Sequence, residues 1–267
     1  MSDQSLEQWE VGEAYERYVG RWSRRAAQTF LEWLAVPAGK SWTDVGCGTG
    51  ALVGEILGRC HPEAVVGIDR SEGFIAEARR HTTDPRAQFL VGDATELPLQ
   101  DATSQATVSG LVLNFVSDPT QMLREMVRVT KPGGRVAAYV WDYAGGMEMM
   151  RHFWDAAALV SPQDAELDEA QRFPLCQPAP LAALWSEAGL NAAEVREITV
   201  PTVFRDFEDY WTPFLGGQGA APTYLASLDA QTQGQVRTVL HSRLEPSLDG
   251  TIALTARAWA VQGTKPG

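Results

Sequence analysis

Between Asp44 and Leu52 the chain reads DVGCGTGAL, and two chemistries fit that spacing. As D-x-G-x-G-x-G, the acid and glycines suit an amino-acid-like cofactor such as S-adenosylmethionine. As G-x-G-x-x-A, the same residues satisfy the relaxed dinucleotide fingerprint, in which a pyrophosphate rests on a helix start. Both readings need glycines that let the backbone turn tightly, and a helix amino terminus facing an anionic group. Asp69, 19 residues after Gly50, closes the segment GID and can accept hydrogen bonds from a ribose diol under either reading.

The GDA of Gly92, Asp93 and Ala94 is more discriminating. Its carboxylate is placed to accept the exocyclic amine of an adenine, beside a residue small enough to admit the ring. A dinucleotide site has no general need for that acid. None of the six tyrosines has a lysine four residues later, so the Tyr-x-x-x-Lys pair of one large hydride-transfer group is absent. Other dehydrogenase classes stay open on this evidence.

These residues need a scaffold that brings them together. From Ser41 to Asp142 short apolar runs alternate with helical patterns, the rhythm of βαβ units around a parallel sheet. Strands are predicted over Ser41 to Gly46, Ala64 to Asp69, Ala87 to Asp93, Ala106 to Leu113 and Arg135 to Trp141, with KPGG at Lys131 to Gly134 as a turn. Helices are predicted over Gly50 to Arg59, Glu72 to His81 and Pro119 to Thr130. Ligands on such sheets sit beyond the carboxyl ends of the strands.

Further on, Gly146 to Val160 and Leu181 to Ala188 read as helices, Asn191 to Val200 and Gly250 to Gly263 as strands. Phe204 to Glu245 reads as an aromatic, glycine-containing insert followed by a helical segment, expected to cap the carboxyl edge of the sheet.

The 267 residues carry a formal net charge of -12, which argues against a polyanion partner and makes nucleic acid an unexpected substrate. Cys47, Cys60 and Cys176 form no C-x-x-C pair, so neither a disulfide framework nor a metal site is expected. No run approaches the ~20 apolar residues of a membrane span. A cytoplasmic protein with a small-molecule substrate is the expectation, with oligomeric state left open.

DVGCGTG, the acid of GIDRS, the GDA of VGDATELPLQDATSQATV and the KPGG before RVAAYVW, in this order, resemble the class I S-adenosylmethionine-dependent methyltransferases, over Tyr15 to Asp142. YERYVGRWSR, YWTPFLGG and ARAWAVQG are similar to a bacterial subgroup of such enzymes. The resemblance implies a doubly wound, mostly parallel seven-stranded α/β sheet of Rossmann-like type, ending in an antiparallel carboxyl-terminal edge hairpin. It implies an amino-terminal helical segment (1–40) covering the cofactor, a cofactor-binding core (41–145), and the rest of the sheet (146–267) with cap insertions at about 146–189 and 204–245.

Position by position, the resemblance implies that Asp44 and the backbone of Gly46, Cys47 and Gly48 hold the methionine amine and carboxylate. Asp69 would hold the ribose, Arg70 would lie against the adenine face, and Asp93 and Ala94 would address its edge. Gly110 or Leu111 would pass the methionine arm, Asn114 would point toward the methyl group, and Tyr18 and Arg21 would close over the cofactor. S-adenosylhomocysteine would be the product.

His152, on the helix after the fifth strand, is the best base among four histidines, against the alternative of a structural role. Trp141 is a candidate pocket residue, and Tyr210, Trp211 and Phe214 would floor a substrate pocket or pack the cap, with Gly216 and Gly217 as a hinge. Methyl transfer from a sulfonium needs alignment and exclusion of water more than acid–base machinery. The fourth strand ends in LNFV, without the Pro-Pro-aromatic tetrad expected for methylation of base amino groups, and no Pro-Cys pair suggests pyrimidine carbon methylation. A nicotinamide-dependent oxidoreductase and a non-catalytic adenosyl-binding protein are the competing readings.

Overall fold

The computed structural model describes residues 20–216 and 219–267. Tyr18 and Gly217, both singled out by the sequence, lie outside the described residues.

Helix α1 (Arg21–Leu34) precedes strand β1 (Ser41–Val45), and the chain then alternates α2 (Ala51–Arg59), β2 (Ala64–Asp69), α3 (Glu72–His81), β3 (Ala87–Val91), β4 (Ser104–Gly110), α4 (Pro119–Val129) and β5 (Thr130–Trp141). Helices α5 (Glu148–Val160), α6 (Glu169–Arg172) and α7 (Pro178–Glu187) lead to β6 (Asn191–Phe204). Helices α8 (Phe207–Trp211), α9 (Ala220–Ser227) and α10 (Ala230–Arg243) lead to β7 (Ile252–Thr264). The seven strands form one sheet in the order β3-β2-β1-β4-β5-β7-β6.

Strands β1 to β5 pair in parallel. Strand β7 runs antiparallel to β5: Gly133 exchanges backbone bonds near Lys265, while Asp142 donates to the carbonyl of Arg257. Strand β1 is buried through Val45 because it has neighbours on both sides, Asp44 lying opposite Gly67 and Val108. Sheets covered on both faces select such continuous burial.

KPGG, expected as a turn, is instead the entry of β5. Gly133, at φ +76°, donates to Lys265 O at 2.9 Å, and Lys265 N–H donates to Gly134 O at 2.9 Å. The antiparallel partner supplies a ladder that no local signal announces. Lys265 Nζ also donates to the carbonyls of Arg128 and Thr130, satisfying acceptors left open where α4 ends.

Two compact units divide the chain. The sheet unit comprises Arg24–Val140, Leu175–Ile198 and Ala258–Gly267. The second comprises the described residues through Ser23, Trp141–Pro174 and Thr199–Arg257. Helix α7, expected in a cap insertion, falls in the sheet unit, where Trp185 is fully buried and its indole donates to Val136 O at 3.1 Å.

Candidate functional site

In the sheet unit, the expected cofactor residues come from the carboxyl ends of β1 to β4. Asp44 is the unusual one. It is 1% exposed, and neither carboxylate oxygen has a hydrogen-bond partner among the described residues. Burial first, and the nearby Asp69 second, push its pKa up to about 8. A buried carboxyl with nothing to accept from costs stability unless it is protonated or meets a cation.

Immediately after it, Gly46, Gly48 and Gly50 hold φ values of +76°, +53° and +90°, a left-handed series that residues with a Cβ enter only at a cost. Gly46 has a second reason to be glycine. A Cβ there would stand 2.5 Å from Val112 Cγ1, so the loop passes hard against the segment that follows β4. The N–H groups of Gly46 and Cys47 both donate to Ile68 O, at 2.7 and 2.9 Å, and that of Gly48 donates to Asp69 Oδ2 at 3.0 Å. These donors, expected to meet the methionine carboxylate, are therefore committed within the fold, whereas the Asp44 carboxyl has no partner among the described residues.

Asp69 ends β2, and its other oxygen accepts from Ser71 N–H at 2.9 Å. Each oxygen of an ionised carboxylate has two lone-pair sites, so Asp69 keeps capacity for a diol while fixing the glycine loop. Ser71 in turn caps α3 by accepting from Phe74 N–H. Arg70 is exposed. Asp93 is exposed as well: its Oδ1 accepts from the amide and hydroxyl of Thr95, at 2.7 and 2.6 Å. Those two bonds, with Arg70 a smaller contributor, hold its carboxyl below the usual range.

Beyond β4 the backbone is strained. Leu111 sits at φ +62° and donates to Tyr139 O at 2.8 Å; a left-handed leucine persists only where its surroundings enforce it. A Cβ on Gly110 would lie 2.7 Å from Tyr139 Oη. Asn114 lies in the single turn Leu113–Phe115, with its amide nitrogen and oxygen buried and unpartnered among the described residues. It thus joins Asp44 as a second unsatisfied group on the sheet's carboxyl edge.

Cys47 is buried, and burial raises its thiol far above the ordinary range, with Asp44 and Asp69 adding to the effect. It is a spacer. Its sulfur lies 2.9 Å from where a Cβ on Gly67 would stand.

Sequence reasoning missed the clamp that fixes the loop after Asp93. Glu125 on α4 accepts from Leu97 N–H at 2.7 Å and pairs with Arg128 through two 2.7 Å bonds. Arg128 also donates to the carbonyls of Leu97 and Leu99 and to Asp101. The E-x-x-R spacing along α4 was a legible signal.

In the second unit, Trp141 is buried with its indole N–H unpartnered among the described residues. His152 is half-buried with Nδ1 unpartnered among the described residues, and burial lowers its pKa despite the opposing influence of Glu148. Burial thus favours the neutral imidazole. Tyr210, Trp211 and Phe214, expected to floor a pocket or pack the cap, are at most 5% exposed and pack it: Phe214 stacks on Phe153 at 4.6 Å, and Tyr210 Oη donates to Met149 O at 2.7 Å. Arg21 lies over the rings of Trp22 and Phe204, with Nη1 donating to Asp209 at 3.4 Å. No helix among the described residues is long and apolar enough to cross a membrane.

Residues 43–138 match the family model of a methyltransferase domain. The 2-phytyl-1,4-naphtoquinone methyltransferase of Thermosynechococcus vestitus is 38% identical over 112 residues, 41% of this chain and 50% of that protein. The demethylmenaquinone methyltransferase of Halalkalibacterium halodurans is 39% identical over 110 residues, 39% of this chain and 44% of that one. The chain thus spans about half the length of these relatives. Among solved structures, a phosphoethanolamine N-methyltransferase 2 of Haemonchus contortus in complex with S-adenosyl-L-methionine shares the fold, at a TM-score of 0.60 and 17% identity, over 96% of this chain and 56% of that one.

Proposed function

We propose that this chain, whose residues 43–138 match the family model of a methyltransferase domain, is a class I S-adenosylmethionine-dependent methyltransferase and transfers a methyl group to a small-molecule acceptor in the cytoplasm. The observation that carries this reading is Asp44. A buried carboxyl without a partner, under a loop of left-handed glycines, asks for a cation. The methionine ammonium supplies one, whereas a pyrophosphate would bring negative charge toward the same acid. The residues present therefore fit S-adenosylmethionine better than a dinucleotide.

When bound, the cofactor contributes an electrophilic methyl on a sulfonium whose departure leaves a neutral thioether. Asp44 would bind the amine, Asp69 the ribose hydroxyls, and Asp93, through Oδ2, the adenine edge. Leu111 and Asn114 would border the methionine arm. The main tasks left to the protein are orientation and the exclusion of water, together worth up to ~7 to 11 kcal/mol in well-aligned systems. His152, whose burial favours the neutral form, is the proposed proton acceptor if the nucleophile loses a proton during attack. The chain's charge of -12 supports a small acceptor over a nucleic acid.

Calorimetric titration with S-adenosylhomocysteine tests the reading. Saturable one-site binding is expected, weakened about tenfold or more in a folded Asp69→Ala variant, as loss of a charge-assisted hydrogen bond to the ribose would give. Binding of a nicotinamide dinucleotide in place of S-adenosylhomocysteine, weakened by the same substitution, would replace methyl transfer with hydride transfer.

A further inference from the structure

The second unit holds an unsatisfied cation. Arg21 Nη1 reaches Asp209, but Nε and Nη2 are buried and have no hydrogen-bond partner among the described residues. Those two nitrogens are the side edge of the guanidinium, the parallel N–H pair that grips a carboxylate or phosphate in bidentate fashion. The group is also held in place. Its carbon lies 4.4 Å from the ring centre of Trp22 and 4.8 Å from that of Phe204, and those two rings meet edge to face. Asp209 does not discharge it in full, because the same carboxylate also accepts from the backbone and side chain of Arg205.

An independent observation lies on the same strand. Strand β6 buries alternate residues, Ile198, Val200, Thr202 and Phe204, so Thr202 shares a face with the ring that carries Arg21, one pleat repeat away. Thr202 is 1% exposed and its hydroxyl is unpartnered among the described residues. A buried hydroxyl and a buried guanidinium edge, both without partners among the described residues, each present a donor with nothing to receive it; leaving such donors unpaired costs stability.

We propose that the Arg21 edge and the Thr202 hydroxyl form an anion subsite for the acceptor, which makes the acceptor a small molecule bearing a carboxylate or phosphate. The inference rests on the methyl-transfer reading above, and it moves Arg21 from the cofactor role implied by the resemblance to recognition of the acceptor.

The test is calorimetry on the full chain saturated with S-adenosylhomocysteine, with benzoate, phenyl phosphate and benzamide as probes, for the wild type and for Arg21→Gln, Arg21→Lys and Thr202→Val. At least one of the two anions should bind saturably to the wild type and the neutral amide should not. Arg21→Gln should lose about tenfold or more in anion affinity, and Arg21→Lys should recover little of it because an ammonium keeps the charge but not the fork. Thr202→Val, close in shape, should weaken binding by about threefold to tenfold. S-adenosylhomocysteine affinity should stay within about twofold of wild type in all three variants.

Absence of binding by both anions, or anion affinity unchanged in both Arg21 variants, would overturn the proposal. So would a tenfold loss of S-adenosylhomocysteine affinity in Arg21→Lys, which would give the fork to the methionyl carboxylate. If the wild type fails to bind S-adenosylhomocysteine at all, the methyl-transfer reading is what falls.

Discussion

A single carboxyl group carries much of the argument. Asp44 ionises in the unfolded chain near the ordinary aspartate value and in the folded one near pH 8, so the folded state holds the extra proton across that interval. Stability of the ligand-free protein should therefore fall as pH rises from about 4 to about 8 and level off above it, because the native state then binds more protons than the unfolded state. Asp44→Asn should flatten that slope in urea titrations at a series of pH values, and should cost about tenfold or more in S-adenosylhomocysteine affinity. The cofactor role proposed for Asp44 follows from its place before three glycines and from the resemblance. Its lack of a partner among the described residues was not legible, since that depends on what β2 and β4 withhold from it. Arg21 illustrates the converse: the sequence marks a positive charge, but only the folded β6 shows which edge of it is free. Tyr210, Trp211 and Phe214 were read as aromatic, and aromaticity alone does not separate a pocket wall from a packed core.

The elements that hold these residues make their own predictions. Gly46→Ala faces both a left-handed backbone and a collision with Val112; the backbone contribution alone should cost about 1 to 3 kcal/mol. Adding Val112→Ala removes the two γ-methyls but leaves the residue's Cβ 2.9 Å away, so it should relieve part of the collision and leave the backbone cost, a partial rescue that chemical denaturation of the four-member cycle would read out. Arg128→Ala removes the cation that faces the buried Glu125 and frees the loop after Asp93. A loss of about 1 to 3 kcal/mol is expected in the same assay, with weaker S-adenosylhomocysteine binding out of proportion to any change in secondary structure. Strands β1 and β2 and helix α3 were readable nearly to the residue, because apolar runs and Ser71 mark their ends. Strand β5 was not: its entry through Lys131 to Gly134 looks like a turn and becomes strand only by pairing with Lys265, more than a hundred residues later. The fourth strand was placed too late, since Leu111 breaks it with a left-handed conformation that its side chain does not advertise.

At the scale of the whole molecule, the chain passes more than once between the sheet unit and the second unit, and β5, β6 and β7 each contribute residues to both. The seven-stranded, mostly parallel sheet with antiparallel carboxyl-terminal strands was foreseen through the resemblance, while the place of helix α7 was not, because it belongs with the sheet through Trp185 rather than with the inserts around it. A cofactor that binds only the folded chain should stabilise it by about 2.7 kcal/mol at a hundredfold excess over its dissociation constant, seen as a raised Tm that Asp44→Asn cuts to about half or less at the same concentration, as a tenfold loss of affinity requires. The most direct test of the account is a calorimetric titration of S-adenosylhomocysteine at pH 7 in two buffers of different ionisation enthalpy. The account expects one site per chain and release of a fraction of a proton as the ammonium ionises Asp44, with that release absent in Asp44→Asn. Failure to bind, or binding with the same affinity and the same proton count in the variant, would contradict it.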